Sequence, residues 1–172
     1  IGAFTYAWSQ DFMGEKIMNE YNIPINENWI FDGKHYTIEE GRRACEEMLK
    51  SDDRPTVLIC SSDTLAIGAM IEMFARGYKI PEDLSLTGFD NIPMSKMFSK
   101  ELTTIDQNRK EFAKQAVNSL LKQLNGEHIK KDKSIIEGTL ILRSTVKNIN
   151  YESSNENVAT VSQDGVISAV AE

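Results

Sequence analysis

The chain has few cysteines and no basic excess, and both deficits exclude classes of protein. Its 172 residues include two cysteines, Cys45 and Cys60, which gives no disulfide framework. Both fall inside predicted buried elements, as free thiols commonly do. The formal net charge is -7, with 19 basic and 26 acidic residues. Since binding of nucleic acid requires clustered Lys and Arg, we do not expect this chain to contact DNA by itself.

Membrane and catalytic signals are also missing. The sequence contains no long apolar run and no basic-then-apolar leader, so we expect no membrane partner. It lacks the Gly-x-Ser-x-Gly elbow and the glycine-rich patterns that hold phosphates or dinucleotides. His35 and His128 have no metal-ligand spacing. We therefore expect no enzyme activity, no catalytic residue, no cofactor and no metal site.

What the sequence does contain is an alternation of strand and helix patterns. A Thr-x-x-Glu capping box at residues 37–40 opens one helix, and a second helix runs from about residue 63 to 77. Short apolar runs predict strands at residues 1–7, 29–31, 56–60 and 84–89. This order predicts an α/β fold with a doubly wound parallel sheet, in which right-handed crossovers place helices on both faces.

The segment after residue 100 predicts three further elements. A short strand at residues 102–105 precedes a helix that is opened by Asn108, with Glu111 three residues on, and is ended by Asn125-Gly126. A last strand is predicted at residues 135–142. Apolar residues at helical spacing predict that the helix buries one face, formed by Phe112, Ala116, Val117, Leu120, Leu121 and Leu124.

The composition changes after Lys147. Two β-prone stretches, residues 151–161 and 165–170, flank Asp164-Gly165, a hairpin signal. An isolated hairpin of this size is marginally stable in water, so we expect it to be frayed or docked. We therefore predict an α/β lobe over residues 1–146 and a β-hairpin tail over residues 147–172.

Polar residues follow two of the predicted strands. Ser61, Ser62 and Asp63 come after the third strand, and Asp90 comes after the fourth. Because the carboxyl ends of parallel strands face one crevice, these side chains predict a small-molecule site. The Asp90 carboxylate can accept hydrogen bonds from ligand hydroxyls, and free N–H groups at the helix start can bind oxygen-rich ligands. The alternatives are that Asp90 caps the segment from Pro93, and that Ser62 or Asp63 caps the helix.

Four more side chains are candidates for the same crevice. Trp8 and Tyr36 follow predicted strands, where an aromatic face can stack on a sugar ring or a base; the alternative is that each covers the core. Gln107 and Arg109 flank the passage from a strand to a helix, from which they can reach a ligand. Their alternative is a solvent-facing position at the helix start.

Three motifs stand out: SSDTLAIGA at residues 61–69, IPEDLSLTGFDNIP at 80–93 and LTTIDQ at 102–107. Together they resemble the effector-binding core of the lactose/galactose repressor (LacI/GalR) family, which has the type I periplasmic-binding-protein fold. Arg143-Ser144-Thr145 looks like the closing strand of that family, so the resemblance covers about residues 1–146. It implies the second of two lobes that hold a small sugar or nucleobase between them and control a DNA-binding headpiece.

The resemblance also implies roles and partners. Asp90 would bind ligand hydroxyls or amines, Ser62 stands where the family usually has Asn, and Tyr36 fills an aromatic position. Gln107 and Arg109 would lie at the crossover into the first lobe. The implied partners are a small-molecule effector such as a sugar, DNA through a headpiece absent from this chain, and a second copy in a cytoplasmic homodimer. The alternative is a periplasmic or extracellular sugar-binding protein or sensor of the same fold.

Two further features concern the ends of the chain. It begins at Ile1 without Met, which indicates a piece of a longer protein. By the resemblance, this piece lacks the headpiece and almost all of the first lobe. The tail, at residues 153–161 and 165–170, resembles the middle of a bacterial immunoglobulin-like repeat of group 2, a module of surface proteins.

Overall fold

The parallel sheet at the centre of the fold has four strands in the order β2-β1-β3-β4. The structure is a computed structural model that describes residues 2–6, 18–23, 26–33, 35–127, 135–147, 159–161 and 167–169. The strands are β1 (Gly2–Tyr6), β2 (Ile30–Gly33), β3 (Val57–Cys60) and β4 (Ser85–Thr87). All four predicted strands are confirmed, with ends that differ by one or two residues.

The order of the strands fixes where a ligand crevice opens. The chain passes from β1 to β2 on one side and then to β3 on the other side of β1. The direction of winding therefore reverses between β1 and β3, and crevices in open α/β sheets lie at the carboxyl ends of the strands at such a switch point. Ser61 follows β3 directly, so it lies beside this position.

Two helices cover one face of the sheet. They are α1 (Ile38–Leu49) and α2 (Asp63–Ala75), and they pack against each other. Both crossovers, from β2 to β3 and from β3 to β4, run in the same direction, so right-handed connections place both helices on the same face. The predicted N-cap of α1 is confirmed at Thr37, whose Oγ1 accepts a hydrogen bond from the Glu40 N–H at 3.2 Å. Gly41 and Gly68 permit the close approach, because a Cβ on either would overlap the backbone of the opposite helix.

The core lies between these helices and the sheet. Cys45 and Cys60 are both buried and free, as predicted. Burial raises the pKa of the Cys45 thiol to about 12 and raises the pKa of Cys60 well above its usual value. The largest fully buried apolar side chains are Met48, Leu58, Leu65, Ile67, Met70, Met73, Ile80, Leu86 and Leu102.

A second, antiparallel pair of strands follows the main sheet. It consists of β5 (Thr104–Asp106) and β6 (Thr139–Ile141), so the predicted strands at residues 102–105 and 135–142 are confirmed in shorter or shifted form. The pair is tied to the main sheet through a parallel bridge between Thr87 and Thr103 and through the Gly88 N–H, which donates to the Thr103 carbonyl at 2.9 Å. The start of β5 therefore continues the edge next to β4.

The helix after β5 forms as predicted, but the prediction of its buried face is wrong. Helix α3 (Arg109–Leu124) has no buried residue, and Phe112, Leu120 and Leu124 are 63%, 56% and 73% exposed. Helical periodicity reports which face a partner would cover, and the described residues supply no such partner. The predicted opening by Asn108 is corrected too: its side chain makes no capping bond, and its backbone has a left-handed φ of 52°.

The tail contains the predicted pair of strands. β7 (Ala159–Val161) and β8 (Ile167–Ala169) are antiparallel, with Val161 opposite Ile167. The domain boundary and the immunoglobulin-like resemblance remain predictions. Among the helices in the described ranges, none combines the length and the apolar character that crossing a membrane requires.

Candidate functional site

The turn after β4 carries the candidate ligand carboxylate in an unusual backbone conformation. Asp90 has a φ of 114° and Asn91 a φ of 49°, a region that residues other than glycine rarely adopt. The Asp90 N–H donates to the Ile105 carbonyl at 2.9 Å, which fixes the turn against β5. The alternative capping role for Asp90 is wrong, because the 3₁₀ helix Pro93–Lys96 begins after Ile92 and has no side-chain cap.

Two of the predicted site residues are in direct contact. Gln107, at the end of β5, donates a hydrogen bond from Nε2 to Oδ1 of Asp90. Within the described part of the chain, Oδ2 of Asp90 accepts no hydrogen bond, and the residue is half-buried. A carboxylate oxygen in this position can accept a hydrogen bond from a ligand hydroxyl or amine.

The serines after β3 divide into one with a local partner and one without. Ser62 Oγ accepts a hydrogen bond from the Leu65 N–H at 3.2 Å, so the capping alternative describes this side chain and its ligand role stays a prediction. Ser61 Oγ is buried and has no hydrogen-bond partner among the described residues. Leaving a buried hydroxyl unpaired costs about 1–3 kcal/mol, which makes Ser61 the better ligand candidate of the two.

Asp63 is fully buried, and both of its oxygens are already bonded. Oδ1 accepts a hydrogen bond from Thr104 Oγ1 at 2.5 Å, and Oδ2 accepts one from the Ile92 N–H at 2.8 Å. Burial raises the pKa of the Asp63 carboxyl, and these two hydrogen bonds oppose the rise. A Cβ at Gly88 would overlap Oδ1 of Asp63. The contacts therefore tie the start of α2 to β5, and ligand binding by Asp63 remains a prediction.

A buried arginine from the far end of the lobe reaches the same turn. The side chain of Arg143 is 7% exposed. Its guanidinium donates to Asn91 Oδ1 at 2.6 Å, to the Leu102 carbonyl at 2.6 Å and to Ser95 Oγ at 3.0 Å. The sequence resemblance assigns Arg143 to a closing strand and predicts no role for it in the site. The signal that could have found it is a charged residue in an otherwise apolar strand.

Asn91 links this arginine to the crossover. Its Nδ2 donates to Asp106 Oδ2 at 2.8 Å, and the other oxygen of Asp106 accepts the Asn108 N–H at 2.8 Å. The hydrogen bonds from Asn91 and then from Asn108 hold the pKa of the Asp106 carboxyl below its usual value. The sequence groups Asn91 with Asp90 in the polar cluster after the fourth predicted strand but predicts none of its contacts, and it assigns no site role to Asp106.

The remaining candidates are spread along the edge. Tyr36 is 53% exposed just before α1, so the alternative that it covers the core is wrong. It follows β2, which lies three strand spacings, or about 14 Å, from β4. Tyr36 and Asp90 therefore follow the two outer strands of the sheet. Arg109 is exposed at the first position of α3, which fits the solvent-facing alternative. Trp8 lies outside the described residues.

An open groove has Gln107 and Phe89, the residue before Asp90, in its lining. Its volume is about 410 Å³, which is within the range of small-molecule sites, and its lining is Phe89, Ile105, Gln107, Phe112, Ile136 and Gly138. A larger cavity of about 470 Å³ lies at the opposite edge of the sheet, among Arg54, Thr56 and Tyr78, and contains none of the predicted site residues. No three His, Cys, Asp or Glu side chains gather into a metal site within the ranges that the structure describes.

Open parallel α/β sheets bind small ligands outside the carboxyl ends of their strands, where this chain carries Ser61 and Asp90. The family model described as "Periplasmic binding protein-like domain" matches residues 8–146, and the chain belongs to this family. The HTH-type transcriptional repressor PurR of Histophilus somni is 37% identical over 137 residues, which are 78% of this chain and 40% of the repressor. The chain thus spans about 40% of the length of the curated relatives that it matches.

Solved structures agree with this assignment. A LacI-type transcription regulator from Bifidobacterium animalis subsp. lactis aligns with a TM-score of 0.72 at 31% identity, over 77% of this chain and 47% of the regulator. A sugar-binding transcriptional regulator of the LacI family from Escherichia coli, complexed with phosphate, aligns with a TM-score of 0.72 at 26% identity, over 84% and 54%. The fold class and the resemblance to the LacI/GalR effector-binding domain are confirmed.

Proposed function

We propose that this chain is the second lobe of the effector-binding domain of a LacI/GalR-type transcriptional regulator, with a sugar as the effector. The observation that carries the proposal is the Asp90 carboxylate, held at the strand ends by a left-handed turn with Oδ1 bonded to Gln107. Its other oxygen is available to a ligand hydroxyl within the described part of the chain. Sugars present several such hydroxyls, and a carboxylate can accept from two of them.

Two further features support a sugar as the ligand, one after the strand next to β4 and one after the outer strand β2. The unpartnered Oγ of Ser61 lies at the switch point of the sheet and offers a buried hydrogen-bonding group. The exposed ring of Tyr36, which follows the outer strand β2, offers an aromatic face for the apolar side of a sugar. The Escherichia coli neighbour described as sugar-binding is consistent with this ligand class.

The apolar face of α3 supports a cleft with a second wall. Phe112, Leu120 and Leu124 are exposed there, and Leu140 and Leu142 are exposed on and after β6. Exposed apolar side chains along one face of a helix, as on α3, mark a surface that packs against another protein segment. We infer that in the full-length protein the first lobe covers this face, and that a cytoplasmic homodimer contacts DNA through a separate headpiece.

The proposed mechanism is a shift between two arrangements of the lobes. A ligand held between them stabilises the closed arrangement by its differential affinity for that state. Since the coupling is a free energy shared by two sites, the ligand changes the affinity of the headpiece for its operator. A binding protein or sensor of the same fold is the alternative, and the transcriptional repressors among the relatives favour the regulator.

The test is an electrophoretic DNA-binding assay on a full-length protein that contains this segment. The DNA is the promoter region of its own gene, and the compounds are a panel of sugars and nucleobases. We expect one sugar to change the DNA affinity by about tenfold or more, which corresponds to about 1.4 kcal/mol of coupling. A protein that binds a sugar but never binds DNA would support the alternative and contradict the proposal.

A further inference from the structure

The side-chain amide of Asn91 is held at both ends by charged groups. Arg143 Nη2 donates to its oxygen at 2.6 Å, and its nitrogen donates to Asp106 Oδ2 at 2.8 Å. A guanidinium only donates hydrogen bonds, and an ionised carboxylate only accepts them. Reversing the amide would therefore oppose donor to donor and acceptor to acceptor. Asn91 thus has one allowed orientation.

The backbone on either side of this amide is unfavourable unless it is held. Asp90 and Asn91 are consecutive residues with φ of 114° and 49°. Such conformations cost about 1–3 kcal/mol per residue, and they persist where surrounding contacts determine them. The contacts of Asn91 supply that determination: its backbone N–H donates to Thr104 Oγ1 at 3.3 Å, and its side chain is fixed as described. The direction of the adjacent Asp90 side chain depends on this turn.

The same network also reaches the partner of Asp90. Asp106 accepts hydrogen bonds from Asn91 through Oδ2 and from the Asn108 N–H through Oδ1. Gln107 lies between Asp106 and Asn108 in sequence. Asn108 has a left-handed φ of 52°, and its N–H bond to the Asp106 side chain holds the backbone beside Gln107. Both members of the pair formed by Asp90 and Gln107 are therefore neighbours of residues in this network.

We propose that Asn91, clamped between Arg143 and Asp106, is a positioning residue that aims the Asp90 carboxylate and the Gln107 amide at the ligand. The inference rests on the proposed function in taking Asp90 as a ligand group. The Arg143 guanidinium is well suited to the task, because it also binds the Leu102 carbonyl and Ser95 Oγ and is thereby fixed in the lobe. A segment 52 residues away from Asn91 thus orients the site.

The test exploits a charge exchange between Asn91 and Asp106. Asn91→Asp places two carboxylates against each other and removes the donor to Asp106. Adding Asp106→Asn restores every hydrogen bond: the new carboxylate accepts from Arg143 and from the new amide, whose oxygen still accepts the Asn108 N–H. The net charge of the doubly substituted chain equals that of the wild type. The exchange therefore tests whether the pattern of hydrogen bonds, and not the identity of residue 91, positions Asp90 and Gln107.

The readout is the side-chain amide resonance of Gln107 in ¹⁵N–¹H spectra of the 172-residue chain. Asp90→Asn marks the position of this resonance without the carboxylate partner. We expect Asn91→Asp to move the resonance toward that position, and the double variant to return it to the wild-type position. A folded Asn91→Asp chain with an unmoved resonance would overturn the proposal, and so would a double variant that unfolds or leaves the resonance displaced.

A gentler variant covers the case in which Asn91→Asp unfolds the chain. Arg143→Lys keeps the charge but cannot donate to Asn91 and to the Leu102 carbonyl with the planar geometry of a guanidinium, so we expect it to displace the Gln107 resonance as well. An unmoved resonance in this variant would also count against the proposal. The readout needs no effector, so a full-length protein whose DNA binding ignores every compound would contradict the proposed function and leave this result unaffected.

Discussion

Replacing Thr104 with valine removes one hydroxyl with two partners and keeps the shape of the side chain. Thr104 is fully buried, and its Oγ1 donates to Asp63 Oδ1 at 2.5 Å and accepts the Asn91 N–H at 3.3 Å. A buried hydrogen bond to a charged group contributes about 1.5–3 kcal/mol, and the longer neutral bond adds up to about 1 kcal/mol. We expect Thr104→Val to lower the free energy of unfolding by about 2–4 kcal/mol near neutral pH.

The cost should depend on pH, with a sign set by Asp63. Burial raises the pKa of this carboxyl in the folded chain above its unfolded value. Stability that is present below the unfolded pKa is therefore lost as the pH rises through the folded pKa. The hydrogen bond from Thr104 limits this rise, so the valine variant should raise the folded pKa further. Its destabilisation should be smaller at about pH 4 than near neutral pH.

Urea denaturation at both pH values measures the effect, and Thr103→Val is the matched control. Thr103 is equally buried, and its Oγ1 accepts the backbone N–H of Arg143 at 2.9 Å, a contact without a titrating partner. The control should cost about 1 kcal/mol at either pH. A Thr104→Val cost that is independent of pH, or no larger than that of the control, would show that the Thr104 hydroxyl does not stabilise the ionised Asp63 carboxylate.

Three further predictions concern a glycine, the thiols and helix α3. Gly88→Ala should destabilise the chain by several kcal/mol because its Cβ would overlap a buried carboxylate oxygen. Gly77→Ala, which has open space but a φ of 81°, should cost about 1–2 kcal/mol, and equal costs of the two variants in thermal melts would contradict this. Cys45 and Cys60 should resist a thiol reagent in the folded chain and react in urea, and rapid labelling without urea would disagree. Leu120→Glu should change the stability of this chain by about 0.5 kcal/mol or less, since the side chain is already 56% exposed.

Local patterns predicted the elements that rest on local physics. The capping bond of Thr37, the four strands of the main sheet and the buried helix α2 follow from residues that are close in sequence. Gly126, with a φ of 80°, ends α3 at the predicted place because a positive φ suits glycine. The position of Asp90 after the carboxyl end of β4 followed from the strand pattern, and parallel topology brings the carboxyl ends of strands to one edge.

Features that depend on distant partners did not follow from the sequence. The clamp on Asn91 requires Arg143, which is 52 residues away, and no periodicity links the two. The positions of Ser62 and Asp63 left a ligand role and a capping role open. The capping bond of Ser62 is local, whereas the bond of Asp63 to Thr104 joins residues that are 41 apart in sequence. The exposed face of α3 shows the same limit, because an amphipathic pattern does not specify which segment covers it.

Ligand binding by Asp90 is tested most directly by the affinity of the effector for full-length proteins that differ at one carboxylate. Isothermal titration calorimetry would compare the wild type, Asp90→Ala and Asp52→Ala, where Asp52 is an exposed residue at the opposite edge of the sheet. We expect Asp90→Ala to weaken effector binding by about tenfold or more, as for a lost hydrogen bond to a charged group. We expect Asp52→Ala to leave the affinity unchanged. An Asp90→Ala protein that binds the effector as tightly as the wild type would contradict ligand binding by Asp90.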